Sequence, residues 1–445
     1  MPLLVTTGLQ PEALDALSPM LIEMVGRNCA LTEYTPLDTI PTFRIRGEFI
    51  AYASPDSTYA VTRRLIDAAK ESIVIGIYDF TAAYMKELLL NAMQRGVTVS
   101  LMLDIDSKDE ESVFKELEKF GATTVPAPSC ASKAISYFPS SHEKVIVIDG
   151  TWSLVQSGNY STNSIPFNEE DGGDKNHFKK GNRDMGVAIK SKPLAAFFTG
   201  VLESDMQLQL DAMEPEALRR DSGQTFPELV ELVPQALPVK LFSSKSFKPE
   251  TAIAVTPILT PDNYMDLIPA LLARARKSIF IENQYIRSKG TEVMKLLDAI
   301  RTAMDNNPEL DVRIILGKLF SAADVTKEKA NVANLKKEYG LKLGDNIRYI
   351  DTTRFVHCHN KLIVVDNKEV LISSQNWSDT GVGTNREAGV LMDFPQIARY
   401  YAGIFESDWS TAFTKVPNVG RATVTPEALA KGNYMAVSPA DYQEV

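Results

Sequence analysis

Two short stretches of the chain carry the same three reactive side chains at the same spacing. "SSHEKVIVIDG" over 140–150 holds His142, Lys144 and Asp149, and "CHNKLIVVDN" over 358–367 holds His359, Lys361 and Asp366. Side chains two apart on a strand share a face, so His142 lies with Lys144 and His359 with Lys361. The apolar runs that follow, Val145 to Ile148 and Leu362 to Val365, predict strands buried on both faces. Ser157 and Asn159 follow His142 at the same distances at which Ser374 and Asn376 follow His359. Each stretch therefore supplies an imidazole, an ammonium and a carboxamide. That inventory suits phosphoryl transfer with no metal or other cofactor. Lysines and asparagines can hold the nonbridging oxygens and offset the charge that builds at phosphorus. One imidazole attacks phosphorus and the other protonates the leaving oxygen, then activates water or an alcohol against the resulting phosphohistidine.

An attacking imidazole needs an acceptor on its second nitrogen. Glu387, downstream of His359 in "NREAG", is the candidate for the second stretch, and Asp184 in "NRDMG" is its counterpart in the first. Asp149 and Asp366 end their strands and point away from the His and Lys face by parity, which suits them to fix a local turn and the contact between copies. Trp377, directly after Asn376, is a candidate to line an acyl or headgroup pocket, and a core tryptophan is an equal reading. Cys358 faces away from His359 and reads as packing. His357 shares the face of His359, but no second ligand pair stands at metal spacing, so no metal site is expected.

The elements that must position these groups come as two copies of one unit. "SPDSTYAVTRRLIDAAKESIVIGIYDF" (54–80) aligns with "TPDNYMDLIPALLARARKSIFIENQYI" (260–286) without a gap, at an offset of 206. Each reads as a helix followed by a strand, and a second strand follows in each, "GVTVSLMLD" (96–104) and "DVRIILGK" (311–318). The His motifs align at an offset of 217, and "GNRDMGVAI" (181–189) with "TNREAGVLM" (384–392), like "LESD" (202–205) with "FESD" (405–408), at 203. The rise in offset marks an insertion in the second copy before its motif, in a region that reads as helical. The fall marks a longer insertion in the first copy after its own, in "IPFNEEDGGDKNHFKKG", which reads as a mobile loop near the site. Of the 4 histidines in the chain, two occupy equivalent repeat positions, which chance explains poorly.

Alternation of strands and helices predicts an α/β fold, two repeated α-β-α sandwich units with mixed sheets packed about a pseudo-twofold axis. The expected division is an N-terminal extension (1–45), a first repeat (46–215), a linker (216–250), a second repeat (251–415) and a C-terminal tail (416–445).

Composition narrows the setting. The 445 residues are 44% hydrophobic, enough to fill a core in each unit. No apolar run approaches the roughly 20 residues of a membrane span. The first residues lack the basic start and apolar middle of a signal peptide, so a cytoplasmic protein, or one exported without that mark, is expected. The 3 cysteines, Cys29, Cys130 and Cys358, form no close pair and suggest no disulfide framework. A net charge of −10 disfavours nucleic acid as partner unless a local basic groove exists, for which "KNHFKKGNR" (175–183) is available. His177 within it reads as a surface residue. Composition and motifs leave oligomeric state open.

The doubled His-x-Lys-x4-Asp pattern resembles the signature of the phospholipase D superfamily, as do the "SGN", "SQNW" and "ESDW" segments. The resemblance spans most of 46–415. It implies that both motifs meet between the halves and that phosphodiester exchange runs without metal through a phosphohistidine. It also implies His142 as nucleophile and His359 as acid and base. Gln156-Ser157 and Ser373-Ser374 stand where Gly-Gly or Gly-Ser is common, and Asp184 where glutamate is frequent, which would shorten the reach to His142. "IENQY" (281–285) looks like a stretch in phospholipases D proper. The implied substrate is a glycerophospholipid at a membrane or micelle surface, its headgroup hydrolysed or transferred. A nuclease is the alternative, and a catalytically silent lipid-binding protein is a weaker third.

Overall fold

The computed structural model describes residues 29–105, 108–132, 135–166, 181–212, 242–320 and 322–417. Most of the loop expected over 165–181, His177 included, falls outside them, as does the tail beyond 417.

Each half is built on one eight-stranded mixed sheet. The first half runs β1 (Phe43–Ile45), β2 (Phe49–Ser54), α1 (Thr58–Asp67), β3 (Ser72–Ile77), α2 (Ala83–Gln94) and β4 (Thr98–Leu103). It continues through α3 (Lys108–Lys119), β5 (Thr123–Pro126), β6 (Lys144–Ile148), β7 (Trp152–Gln156), β8 (Asp184–Lys190) and α4 (Lys192–Leu210). The second runs β9 (Lys245–Phe247), β10 (Ile253–Thr260), α5 (Tyr264–Ala273), β11 (Ser278–Asn283), α6 (Thr291–Asn306) and β12 (Asp311–Leu316). After these come α7 (Ala322–Tyr339), β13 (Ile347–Tyr349), β14 (Lys361–Val365), β15 (Glu369–Ser373), α8 (Asp379–Gly383), β16 (Glu387–Asp393) and α9 (Pro395–Thr411). The sheet orders are β5-β4-β3-β6-β7-β8-β2-β9 and β13-β12-β11-β14-β15-β16-β10-β1. They are the same order, as a repeat requires. The two edge strands are exchanged: β1 precedes the first half yet pairs with β10 of the second, and β9 pairs with β2 of the first. Both exchanges cover an otherwise open sheet edge.

Strand parity divides the core into three. From β6, Val145 and Val147 face an inner core, while Ile146 and Ile148 face an outer one. From β14, Leu362 and Val364 face the same inner core, and Ile363 and Val365 a second outer core. The inner core also takes Leu194, Phe198 and Leu202 from α4 and Ile397, Tyr401 and Phe405 from α9, so the halves share one apolar layer. Burying both faces explains why β6 and β14 are near-continuous β-branched runs.

The halves are also joined by a buried ionic clamp that uses the repeated motifs. Arg183, just before β8, donates from Nε and Nη2 to both carboxylate oxygens of Asp408 on α9, at 2.7 and 3.2 Å, and from Nη1 to Asp56 of its own half. Arg386 makes the mirror arrangement with Asp205 on α4, at 2.6 and 2.8 Å, and with Asp262. Backbones cross at the same places. His142 N–H donates to Arg386 C=O (2.7 Å), and His359 N–H donates to Arg183 C=O (3.0 Å).

The cysteine expectation is overturned. Cys29 and Cys130 are disulfide-bonded with Cα atoms 5.6 Å apart, and Cys358 is buried and unbonded. Their sequence separation of 101 hid the pair, because the strap after Cys29 is brought back only by tertiary contacts. That strap then reaches the other half, where Tyr34 Oη and Leu37 N–H both donate to Asp262.

Removing one partner of a buried ion pair strands the other charge. Arg183→Ala should therefore lower stability by about 3–5 kcal/mol in urea denaturation, and Arg183→Lys by less, since it keeps the charge but loses the two-pronged geometry. A loss under about 1 kcal/mol in Arg183→Ala would show that the clamp does not hold the halves.

Candidate active site

The two His motifs meet across the boundary between halves. β6 runs antiparallel to β3, so Lys144 stands opposite Ile77 at the carboxyl end of β3, and Lys361 stands likewise opposite Asn283 of β11. The rings of His142 and His359 approach to 6.4 Å between centroids and are only 4% and 2% exposed. Each lysine curls under its own histidine: Lys144 Nζ donates to His142 C=O at 2.5 Å, and Lys361 Nζ to His359 C=O at 2.7 Å. Tyr78 packs its ring against His142 and under the Lys144 ammonium.

The acids are exchanged relative to the sequence expectation. His142 Nδ1 bonds Glu387 Oε2 of the second half at 2.8 Å, and His359 Nδ1 bonds Asp184 Oδ1 of the first at 3.0 Å. The cause is the backbone crossing at Arg183 and Arg386, which lays the strand starts at Asp184 and Glu387 beside the opposite histidine. The shorter Asp184 side chain therefore bears on His359 and not on His142.

The two pairs differ in charge. Burial drives the Glu387 carboxyl well above its ordinary range, an effect that Lys144 and hydrogen bonds from Ser374 and Asn385 only partly offset. Burial works against Asp184 as well, yet His359, Lys361 and the Ser157 hydroxyl hold its carboxyl below the usual value. Burial, reinforced by Lys144, Lys361 and His359, puts His142 well below the ordinary imidazole range. Burial and Lys361 bring His359 down to about 4 against the pull of Asp184. Lys144 is lowered to about 7, chiefly by burial and by Lys361, with Glu387 opposing. Both rings are thus neutral at neutral pH. His359 Nε2 has no hydrogen-bond partner among the described residues.

Several expected positions land elsewhere. Asp149 stands just past the far end of β6, roughly 16 Å along the strand from Lys144. There its carboxylate accepts the N–H groups of Lys70, Glu71 and Ser72. Asp366 accepts those of Arg276, Lys277 and Ser278 in the same way. Each closes a helix-to-strand turn within its own half, and neither reaches the histidines or the contact between copies. Ser157 donates to Asp184 at 2.9 Å and accepts from Met185 N–H, so it holds the acid. Ser374 accepts from Ala388 N–H beside Glu387. Both serines are fully buried supports, where substrate contacts were expected. Trp377, expected in the pocket, is fully buried in the outer core of the second half, its Nε1–H on Tyr264 Oη at 3.0 Å. Its apolar surface outweighed its place beside Asn376. Asn159 does line a small crevice that reaches His359, together with Asp79, Asn163 and His357. Asn376 is 1% exposed. Among the described residues no group of three or more His, Cys, Asp and Glu is arranged to hold a metal ion.

Sequence reasoning missed the clamp arginines and their aspartates. The signal was present, since "SPD" and "TPD", "NR", and "ESD" recur in both copies, but an arginine with aspartates in range reads as surface pairing until burial is known. It also missed an exchange beneath the site. Glu143 follows His142, whereas Asn360 follows His359 and donates to Glu282 on β11 at 2.8 Å. The repeat counterpart of Glu282 is Gly76, where a Cβ would come 2.9 Å from Glu143 Oε1. One buried carboxylate is kept in each half, from a different strand.

Paired HxK stretches on twin mixed sheets fit the phospholipase D superfamily. A family model described as "Cardiolipin synthase, PLD-like domain" matches residues 62–206 and again 268–409, and the chain belongs to that family. Phosphatidylserine synthase from Haemophilus influenzae Rd KW20 shares the fold at 15% identity, with a TM-score of 0.58 over 93% of this chain and 95% of that one. The phospholipase D family member Nuc from Salmonella typhimurium is 23% identical over 36% of this chain and 95% of its own, with a TM-score of 0.30. Polyphosphate kinase from Porphyromonas gingivalis is 14% identical over 96% of this chain and 59% of its own, at 0.49. Comparison with curated protein sequences gives no match.

A histidine held neutral in the fold costs stability in acid. Between pH 6.5 and about 4 the unfolded chain binds a proton that folded His359 refuses, so its contribution falls as pH drops through that window, by on the order of 3 kcal/mol. Denaturant midpoints should therefore decline less steeply with acidification in His359→Asn than in the unsubstituted protein. Parallel declines would show that the ring titrates normally.

Proposed function

We propose that the chain is a phosphodiesterase that hydrolyses or transfers the headgroup of glycerophospholipids through a phosphohistidine. The observation that carries this reading is the 6.4 Å separation of the two imidazoles, each with Nδ1 engaged by a carboxylate from the other half and a lysine beneath. Engagement of Nδ1 leaves Nε2 of each ring for chemistry at one phosphorus.

His142 Nε2 forms a bond to phosphorus as the bond to the leaving oxygen breaks, and a proton on His359 Nε2 passes to that oxygen. A bound diester anion raises the affinity of His359 for that proton. His359, now neutral, then takes a proton from water or an alcohol, whose oxygen bonds phosphorus and expels His142. Ionised Asp184 steadies the imidazolium that His359 becomes, whereas His142 attacks from the tautomer whose Nδ1–H is donated to Glu387 Oε2, which leaves the Nε2 lone pair free. That contrast supports His142 as nucleophile. Lys144 and Lys361, with Asn159 and Asn376, are assigned to the nonbridging oxygens.

The family description, a cardiolipin synthase domain, supports a lipid diester over nucleic acid, as does the net charge of −10. Among the described residues no helix is long and apolar enough to cross a membrane. On this reading the substrate is met at a membrane or micelle surface. Disulfides persist in oxidising compartments, and the Cys29–Cys130 bond supports export over the cytoplasm.

Headgroup release from phospholipid vesicles should survive EDTA, and an added primary alcohol should divert product to phosphatidyl alcohol. Cleavage of single-stranded DNA across a salt series is the comparison, and DNA turnover without lipid turnover would reverse the substrate assignment. His142→Ala should fall to background. His359→Ala should lose roughly 10²–10⁴-fold on lipid. On a p-nitrophenyl diester, whose leaving group needs no acid, it should accumulate phosphohistidine at His142, read by mass spectrometry. Label found on His359 in the His142 variant would exchange the two roles.

A further inference from the structure

Among the described residues the halves differ beside His359. The insertion before the second motif falls in the region of α7, and between α7 and the carboxyl ends of β11 and β12 lies a cavity of about 470 Å³. Its cations are Arg287, Lys289, Lys318 and Lys327, against two carboxylates, Asp324 and Glu328. Glu328 is turned to its own framework, accepting from Tyr349 Oη at 2.7 Å and from Asn331 Nδ2 at 3.3 Å. Lys318 and Arg287 lean on the rings of Phe320 and Tyr285.

The cavity abuts the catalytic crevice, since Gln284 and Phe320 line both. His357 stands at the junction, its ring 6.3 Å from that of His359 and 5.2 Å from Phe320. Lys318 N–H donates to His357 Nδ1 at 2.9 Å, which leaves the proton of the neutral ring on Nε2. That Nε2 makes no hydrogen bond among the described residues, although the side chain is buried and borders the crevice. Gly317 makes the arrangement possible, because a Cβ there would collide with His357 Cε1. The register of β4 and β12 puts Asp104 at the corresponding position of the first half, where its carboxylate accepts Ser141 N–H. The second half has given up that carboxylate for an imidazole donor facing a basic cavity.

We propose that this cavity is the subsite for the leaving or accepting alcohol, and that it selects alcohols carrying a phosphate or carboxylate of their own. The inference rests on the proposed reaction, in which His359 exchanges its proton with the leaving and entering oxygens. A group bonded to that oxygen extends past His357, whose Nε2–H donates to it, and its anion meets Lys318 and Arg287. The chemistry balances as in any exchange at this site. The P–O bond to one alcohol breaks as N–P forms, N–P breaks as the second alcohol bonds, and the proton shuttles through His359.

The test pairs turnover with binding. Vesicles of phosphatidylglycerol phosphate and of phosphatidylcholine supply anionic and cationic headgroups, and glycerol 3-phosphate and glycerol serve as charged and neutral probes in calorimetry. The unsubstituted protein should favour the phosphorylated headgroup and bind glycerol 3-phosphate but not glycerol. Lys318→Gln should reduce the ratio of kcat/KM between the two lipids, and affinity for glycerol 3-phosphate, by roughly tenfold to a hundredfold, with recovery in Lys318→Arg. Lys318-dependent binding of glycerol 3-phosphate with no turnover of any lipid would uphold the anion subsite while removing the lipid reaction. Lipid turnover whose headgroup preference is unchanged in Lys318→Gln, with no binding of glycerol 3-phosphate, would overturn the subsite and leave the reaction standing.

Discussion

The site depends on a crossing of backbones at two arginines. Arg183 and Arg386 each give a main-chain carbonyl to the histidine of the other half, while their guanidiniums hold an aspartate on either side of the boundary. Buried guanidiniums are tolerated only when their donors are met by ionised acceptors in good geometry, and each here has two carboxylates. The residues that follow them, Asp184 and Glu387, are thereby delivered to the opposite histidines. One interaction sets the separation of the rings, their orientation and their acids. Neither His142 nor His359 takes its carboxylate from its own half.

Near symmetry of geometry coexists with asymmetry of charge. A glutamate and an aspartate occupy equivalent positions, yet the first is driven toward its neutral form by burial and the second is held ionised by His359, Lys361 and Ser157. The environment, more than the identity of the acid, separates the pairs. A second asymmetry lies outside them, where α7 and His357 frame a basic cavity on the His359 side. On the proposed reading, a duplicated scaffold would hold one phosphorus symmetrically and still treat its two alcohols differently.

Much of the fold was legible because its code is local. The unbroken apolar runs at Val145 to Ile148 and at Leu362 to Val365 announced strands covered on both faces, and the gapless alignment of 54–80 with 260–286 announced a repeat. The doubled HxK pattern singled out the candidate groups, since few chemistries call for an imidazole and an ammonium in duplicate. Other residues were misread for equally physical reasons. Trp377 sits one position from Asn376, but neighbouring side chains on extended backbone face opposite ways, and the indole went to the core. Asp149, by contrast, was legible from strand parity as a residue of a local turn, and it caps three backbone N–H groups past the end of the strand that begins at Lys144.

What the sequence determined by itself was the set of reactive groups, the repeat and the strands that carry the groups, because those follow from side-chain type and from short periodicities. Only the tertiary structure decided which acid serves which histidine, that Cys29 meets Cys130, and that α7 encloses a basic cavity. In a duplicated chain the offset between copies is the same whether equivalent residues pair within a half or across the axis. Packing alone breaks that tie, and here the arginine crossing breaks it in favour of exchange.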